Sequence, residues 1–206
     1  TKQQYSKSHH SRHQIIQPVL MEKLTMHGTE APSQWIQRWA HLIAPASRVL
    51  DLACGAGRHM HYLSSLGHSL LGVDRSDEAL RAASAWGDTL AADIENGDWP
   101  LPNQQFGAVV VTHYLWRPLW PHILGAVQSG GVLLYETFAQ GNETVGRPAR
   151  PEFLLQPGEL LKVAAEGGLR VIAYEDGFLE SPARFVQRIV AVREGPSEPP
   201  LRWSLG

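Results

Sequence analysis

Cysteine is nearly absent: one, Cys54, stands in 206 residues. No internal disulfide can form, and nothing in the covalent chemistry asks for an oxidising compartment. A surplus of positive charge is absent too, since 18 Lys and Arg face 20 Asp and Glu for a formal net charge of -2. No global positive field exists to draw in a phosphate backbone, which leaves nucleic acid unsupported as a partner. Long apolar runs are missing as well. No stretch approaches the roughly 18 uninterrupted apolar residues of a membrane-spanning helix, and the first residues do not read as a signal peptide. These absences together predict a soluble, cytoplasmic protein with no membrane contact. What is present is a 43% hydrophobic content, enough for one well-buried domain on a chain too short for two of ordinary size.

The stretch from Thr1 to Gln17 is polar, carrying Lys2, Lys7, Arg12, His9, His10 and His13 with little to bury. Residues 1–20 are therefore expected to be a disordered tail. Its three histidines lack a cysteine or acidic partner nearby, so no metal is assigned. Residues 21–195 are expected to form a single domain, and residues 196–206 a frayed C-terminal tail.

Within the domain, Trp35, Ile36, Trp39, Leu42 and Ile43 recur at helical spacing after Pro32-Ser33, and Pro45 ends that helix. Arg48 to Ala53 reads as a strand, followed by a glycine-bearing loop and a helix from Arg58 to Leu66 closed by Gly67. Ser69 to Val73 is a second strand ending in Asp74, and Ser76-Asp77-Glu78 caps the next helix with a hydroxyl and carboxylates. Further strands are predicted at Thr89 to Ala92, ending in Asp93, at the valine-rich run Phe106 to Thr112, and at Val132 to Glu136. A helix from Leu119 to Val127 is expected to be broken by Gly130-Gly131. The stretch Thr137 to Gln156 has no period and exceeds the ~12 residues already unusual for a connection, so it reads as a functional lid. A helix after Pro157 precedes two strands, Leu169 to Tyr174 and Phe185 to Arg193, joined without a helix. The fold class is thus α/β: a doubly wound, mostly parallel seven-stranded sheet with one antiparallel strand near the C-terminus.

In such a sheet the ligand lies outside the carboxyl ends of the strands. Those ends carry Asp51 to Gly57, Asp74, Asp93, Thr112 to Leu115 and Glu136. Gly55 and Gly57 allow the backbone to approach a ligand and to turn with positive φ. Asp74 is placed to accept hydrogen bonds from two ribose hydroxyls, and Asp93 from an adenine amino group. A glycine pair after a strand serves dinucleotides as well as other nucleosides. A dinucleotide fingerprint, however, wants a small residue where this chain has Met60.

The run Val49-Leu50-Asp51-Leu52-Ala53-Cys54-Gly55-Ala56-Gly57-Arg58-His59, with Gly72-Val73-Asp74 behind it, resembles the first two motifs of class I S-adenosylmethionine-dependent methyltransferases. The resemblance extends through Ala92-Asp93-Ile94 and Val110-Val111-Thr112-His113-Tyr114-Leu115. Cys-Gly-Ala-Gly-Arg-His and Tyr135-Glu136-Thr137-Phe138 look like the small tellurite-resistance-type group. The resemblance implies a Rossmann-like fold, S-adenosylmethionine as cofactor and S-adenosylhomocysteine as product. It implies that Asp51 orients the loop while Ala53, Gly55 and Gly57 lie against the methionine part. Asp74, with Arg75 beside it, would hold the ribose; Asp93 and Ile94 would frame adenine; Thr112 and His113 would flank the sulfonium.

A sulfonium methyl is already electrophilic, so the protein's task is to hold the acceptor in line and keep water out. A neutral oxygen or nitrogen acceptor must also shed a proton, for which His113, Tyr114 or Glu136 could serve; a soft anion needs no base. Arg147 and Arg150 offer donors to an anionic acceptor, or sit on a solvated loop. Trp35 and Arg38 either close over the cofactor or simply pack. Trp116 and Trp120 cover a substrate face or belong to the core, and Cys54 reads as a small loop residue. The expected function is methyl transfer to a small-molecule acceptor, with RNA ranked below it. Two alternatives stand: a nicotinamide-dinucleotide oxidoreductase, and a non-catalytic module that binds S-adenosylmethionine. The acceptor and the oligomeric state are not legible in the residues.

Overall fold

The computed structural model describes residues 31–196 and 201–205; the expectations for residues 1–20 lie outside it. The strands are β1 (Arg48–Leu52), β2 (Ser69–Asp74), β3 (Asp88–Ala91), β4 (Phe106–Thr112), β5 (Val127–Phe138), β6 (Arg170–Glu180) and β7 (Ala183–Val192). They form one seven-stranded sheet in the order β3-β2-β1-β4-β5-β7-β6. The first five pair in parallel, and β7 runs antiparallel to both β5 and β6. The helices are α1 (Gln34–Trp39), α2 (Arg58–Ser65), α3 (Asp77–Ala83), α4 (Trp120–Gly125) and α5 (Glu159–Glu166). Among the described residues no helix is long and apolar enough to cross a membrane.

Alternation along the strands sends side chains to two apolar layers. Val49, Val110, Leu134 and Val190 meet α1, α2 and α3 on one face; Leu50, Val109, Leu133 and Ile189 meet α4 and α5 on the other. β4 is buried at every position, as a strand covered on both faces by helices must be. Trp35 and Trp39 fill the first layer, with Trp35 1% exposed. Packing is therefore what Trp35 does, while Arg38 points outward to Glu175 at 3.3 Å. Ser33 caps α1 by accepting the N–H of Trp35, a contact of a kind that stabilises a helix by about 1 kcal/mol.

Three stretches differ from expectation. Gly130-Gly131 does not break a helix; it lies inside β5, which begins at Val127. Gly130 takes φ 75°, so the strand absorbs a register shift between Phe106 and Ala108 of β4. The helix before it ends at Gly125, and Arg193 donates to Leu124 O in its last turn at 2.7 Å and to Val127 O at the start of β5 at 2.8 Å. The final hairpin also runs further than its apolar core, since β6 and β7 pair on to Glu180 and Ala183. Past the hairpin, described residues 201–205 of the stretch read as a frayed tail dock: Trp203 packs against the α1 cluster, and the His41 ring meets Ser204 O at 3.1 Å.

Candidate active site

β1 opens into its loop through three left-handed residues: Ala53 at φ 55°, Gly55 at 54° and Gly57 at 85°. A Cβ at Gly55 would meet nothing within 4 Å, whereas one at Gly57 would lie 2.9 Å from Ala83 Cα. The two glycines therefore serve different ends. Gly55 leaves open space at the strand ends, and Gly57 lets the loop press on α3. The loop is tied to β2 by Gly55 N–H on Asp74 Oδ2 at 2.9 Å and by Cys54 N–H on Val73 O at 3.1 Å. Asp74 Oδ1 accepts the N–H of Ser76 at 2.9 Å. With one backbone donor on each oxygen, the carboxylate is held in place and keeps lone pairs for a ligand. Arg75 beside it is exposed.

Asp51 is 1% exposed, and its Oδ2 meets no donor among the described residues. Burial pushes its pKa up to about 7, against the pull of Arg58, with the Asp74 carboxylate adding to the rise. Cys54 is buried, and that burial, with Asp51 and Asp74 close by, pushes its thiol upward; it stays protonated and inert. Asp93 accepts the N–H groups of Glu95 and Asn96 on Oδ1, and Asn96 Nδ2 on Oδ2 at 2.9 Å. The Asn96 amide leads the causes that hold its pKa low. Ile94 turns its side chain into the core, so its backbone is what faces outward.

At the end of β4 lies a polar row that spacing alone did not reveal. Thr112 pairs in register with Glu136 of β5, Glu136 with Arg188 of β7, and Arg188 with Glu175 of β6. Above it sits His59 of α2. Ser33 N–H donates to His59 Nε2 at 3.2 Å, which places the ring proton on Nδ1, 3.3 Å from Thr112 Oγ1. Burial holds the His59 pKa down to about 3, so the ring is neutral. Glu136 is fully buried; its Oε1 accepts the Ser33 hydroxyl at 3.0 Å and its Oε2 accepts Arg188 Nη1 at 3.3 Å. Both oxygens are thus engaged. Glu136 is an ionic anchor between sheet and α1, not a base open to an acceptor.

His113 follows with φ 53°, a conformation uncommon for a residue with a Cβ. Its N–H is held by Glu136 O at 2.9 Å, its ring lies 5.0 Å from that of Phe138, and Arg58 Nη2 approaches Nδ1 at 3.4 Å. Beside it a cavity of about 210 Å³ is lined by Glu95, His113, Tyr114, Leu115, Phe138 and Phe153, among others. Burial, followed by the Glu95 carboxylate, pushes the Tyr114 hydroxyl above the usual phenol range. Glu95 was not singled out from the sequence, because it lies in a loop beyond the strand-end aspartate. Arg147 and Arg150 line a different, open groove of about 700 Å³ on the far side of Pro148 and Phe153. Arg150 is paired there with Glu152 at 3.0 Å. Trp116 and Trp120 pack against the core on the α4 side.

Residues 49–130 match the family model of the methyltransferase domain. Solved structures with the same fold include a TehB-like SAM-dependent methyltransferase from Corynebacterium glutamicum, at 19% identity and TM-score 0.58 over 78% of this chain and 87% of that one. TehB from Haemophilus influenzae aligns at 22% identity and TM-score 0.60, over 76% of this chain and 60% of that one. A SAM-dependent methyltransferase from Methanosarcina mazei aligns at 14% identity and TM-score 0.62, over 81% of this chain and all of that one (100%). At these identities the structural likeness shows the fold alone. No curated protein matches the chain by sequence. The nicotinamide alternative gives way to the match over residues 49–130. Residues 49–130 thus carry the match to a methyltransferase domain, and the fold around them is the one found in these S-adenosylmethionine-dependent methyltransferases.

Proposed function

We propose that this enzyme methylates a small-molecule acceptor seated in the cavity beside His113, with residues 137–156 as its outer wall. The observation that carries this reading is the cavity itself, which abuts the cofactor edge and has room for little more than one ring. The pockets of drug-sized ligands start at about 300 Å³. S-adenosylmethionine, when bound, supplies a methyl group already activated on a sulfonium. The chain's residues bind and orient. Asp74 holds the ribose hydroxyls, with Arg75 at the rim. Asp93 and the backbone of Ile94 frame adenine, and Ala53, Gly55 and Gly57 shape the floor under the methionine part. Asp51 accepts from its ammonium group, and Thr112, steadied by His59, sets the backbone from which His113 faces the reacting centre. A single cysteine, buried and protonated, supports a cytoplasmic setting.

The test is calorimetry with S-adenosylhomocysteine. The parent protein should bind it, and Asp74→Ala should lose at least tenfold in affinity, since two hydroxyl hydrogen bonds to a charge go with it. A parent protein that does not bind would refute the reading.

A further inference from the structure

We propose that Glu95 recognises the methyl acceptor, and that the acceptor is therefore a neutral or cationic single-ring compound bearing an N–H or O–H group, not an oxyanion. This rests on the placement of the acceptor in the cavity beside His113, and it deepens that reading. A dry cavity of about 150 Å³ accepts benzene. The 210 Å³ here holds one ring with small substituents. Tyr114, Phe138 and Phe153 offer it flat apolar walls, and aromatic pairs favour offset or edge contacts at such distances.

Charge decides the rest. Among the described residues, Glu95 is the one charged side chain in that wall. Arg58 Nη2 lies 3.4 Å from His113 Nδ1 and is not part of the cavity wall. Arg147 and Arg150 border the other groove. An oxyanion would thus leave water to meet a carboxylate, whereas an N–H or O–H donor gains a charge-assisted hydrogen bond. The other groups weighed as bases are less suited. Glu136 is locked by Ser33 and Arg188. The Tyr114 phenol is buried, and His113 Nδ1 faces a guanidinium donor. Glu95 is half-buried and opens to the cavity. In the transfer, the acceptor's lone pair forms the bond to the methyl carbon. The carbon–sulfur bonding pair stays on sulfur as the thioether of S-adenosylhomocysteine, and the acceptor's proton passes to the Glu95 carboxylate.

The experiment follows labelled methyl transfer from S-adenosylmethionine to a panel of anilines, aminopyridines and catechols, with selenite in parallel, alongside calorimetry of S-adenosylhomocysteine. Label should enter ring compounds and not selenite. Glu95→Gln should raise the acceptor KM at least tenfold, with S-adenosylhomocysteine affinity unchanged within twofold. Phe153→Ala, which removes one wall, should raise KM by a similar factor. Label in selenite alone, or in none of the panel, from a protein that binds S-adenosylhomocysteine would overturn the assignment. So would a tenfold loss of S-adenosylhomocysteine affinity in Glu95→Gln, because the cavity would then belong to the cofactor. Failure of the parent to bind S-adenosylhomocysteine would instead sink the methyltransferase reading beneath it.

Discussion

At the scale of single residues, Asp51 sets stability against binding. Its carboxyl titrates near 4 in an unfolded chain and is pushed up to about 7 by burial in the fold. Between those values the folded protein holds a proton that the unfolded chain has lost. Stability contributed by this site is therefore present below about pH 4, falls as pH rises, and reaches its full deficit above about 7. Asp51→Asn removes the cost of a buried charge. Its melting temperature should exceed that of the parent at pH 8, by an amount worth up to a few kcal/mol, and the gap should narrow at pH 5. The same variant should bind S-adenosylhomocysteine at least tenfold more weakly. A lower melting temperature at pH 8 would count against burial as the cause. Asp74 and Asp93 were legible because each closes an apolar run, and Asp51 because it sits in the strand that opens into the glycine loop. Glu95 was not, since its approach to Tyr114 depends on how the loop between β3 and β4 folds back.

At the scale of elements, α1 could be read from its period and its Ser33 cap, but not what that cap holds. Ser33 and Glu136 are 103 residues apart, and the row Thr112, Glu136, Arg188, Glu175 exists only through the register of four strands. Nothing local in the chain encodes it. β5 was misjudged for a related reason: Gly130-Gly131 looks like a break until Arg193, far along the chain, donates to Leu124 O and pairs with Gly130 and Gly131. The row also separates anchoring from catalysis. Removing one partner of a buried ion pair costs about 3 kcal/mol or more. Glu136→Gln should therefore lower the urea midpoint clearly, while folded molecules keep their methyl transfer rate within a factor of about three. Unchanged stability with activity lost a hundredfold would return Glu136 to the role of base.

For the whole molecule, the function proposed above divides the work along one edge of the sheet. On that reading the ends of β1 and β2 with the Asp93 turn hold the cofactor, while Glu95, the ends of β4 and β5 and residues 137–156 wall the acceptor. That last stretch read as a lid because it lacks a period, yet it is fastened along its length. Ala139 pairs with Leu155, Asn142 Nδ2 donates to Pro148 O at 2.9 Å, and Phe185 N–H donates to Asn142 Oδ1 at 3.2 Å. Its far end hangs on Arg117, whose guanidinium donates to Glu152 O at 2.8 Å and Leu154 O at 2.9 Å while gripping both oxygens of Glu159 at 2.7 and 2.9 Å. One side chain thus joins the turn after β4, the acceptor wall and the start of α5. Arg117→Met keeps most of the apolar stem and removes every one of those donors. Amide hydrogen exchange at residues 150–156 should then speed up at least tenfold, because local opening no longer has to break a charged cluster. The acceptor KM should rise by a comparable factor as Phe153 loses its fixed position. S-adenosylhomocysteine affinity should stay within twofold, since the half of the edge that faces the cofactor is tied to β2 through Asp74 and does not touch Arg117. If affinity for S-adenosylhomocysteine fell in step with the acceptor KM, the two halves would be one coupled unit and the division of labour along the sheet edge would fail.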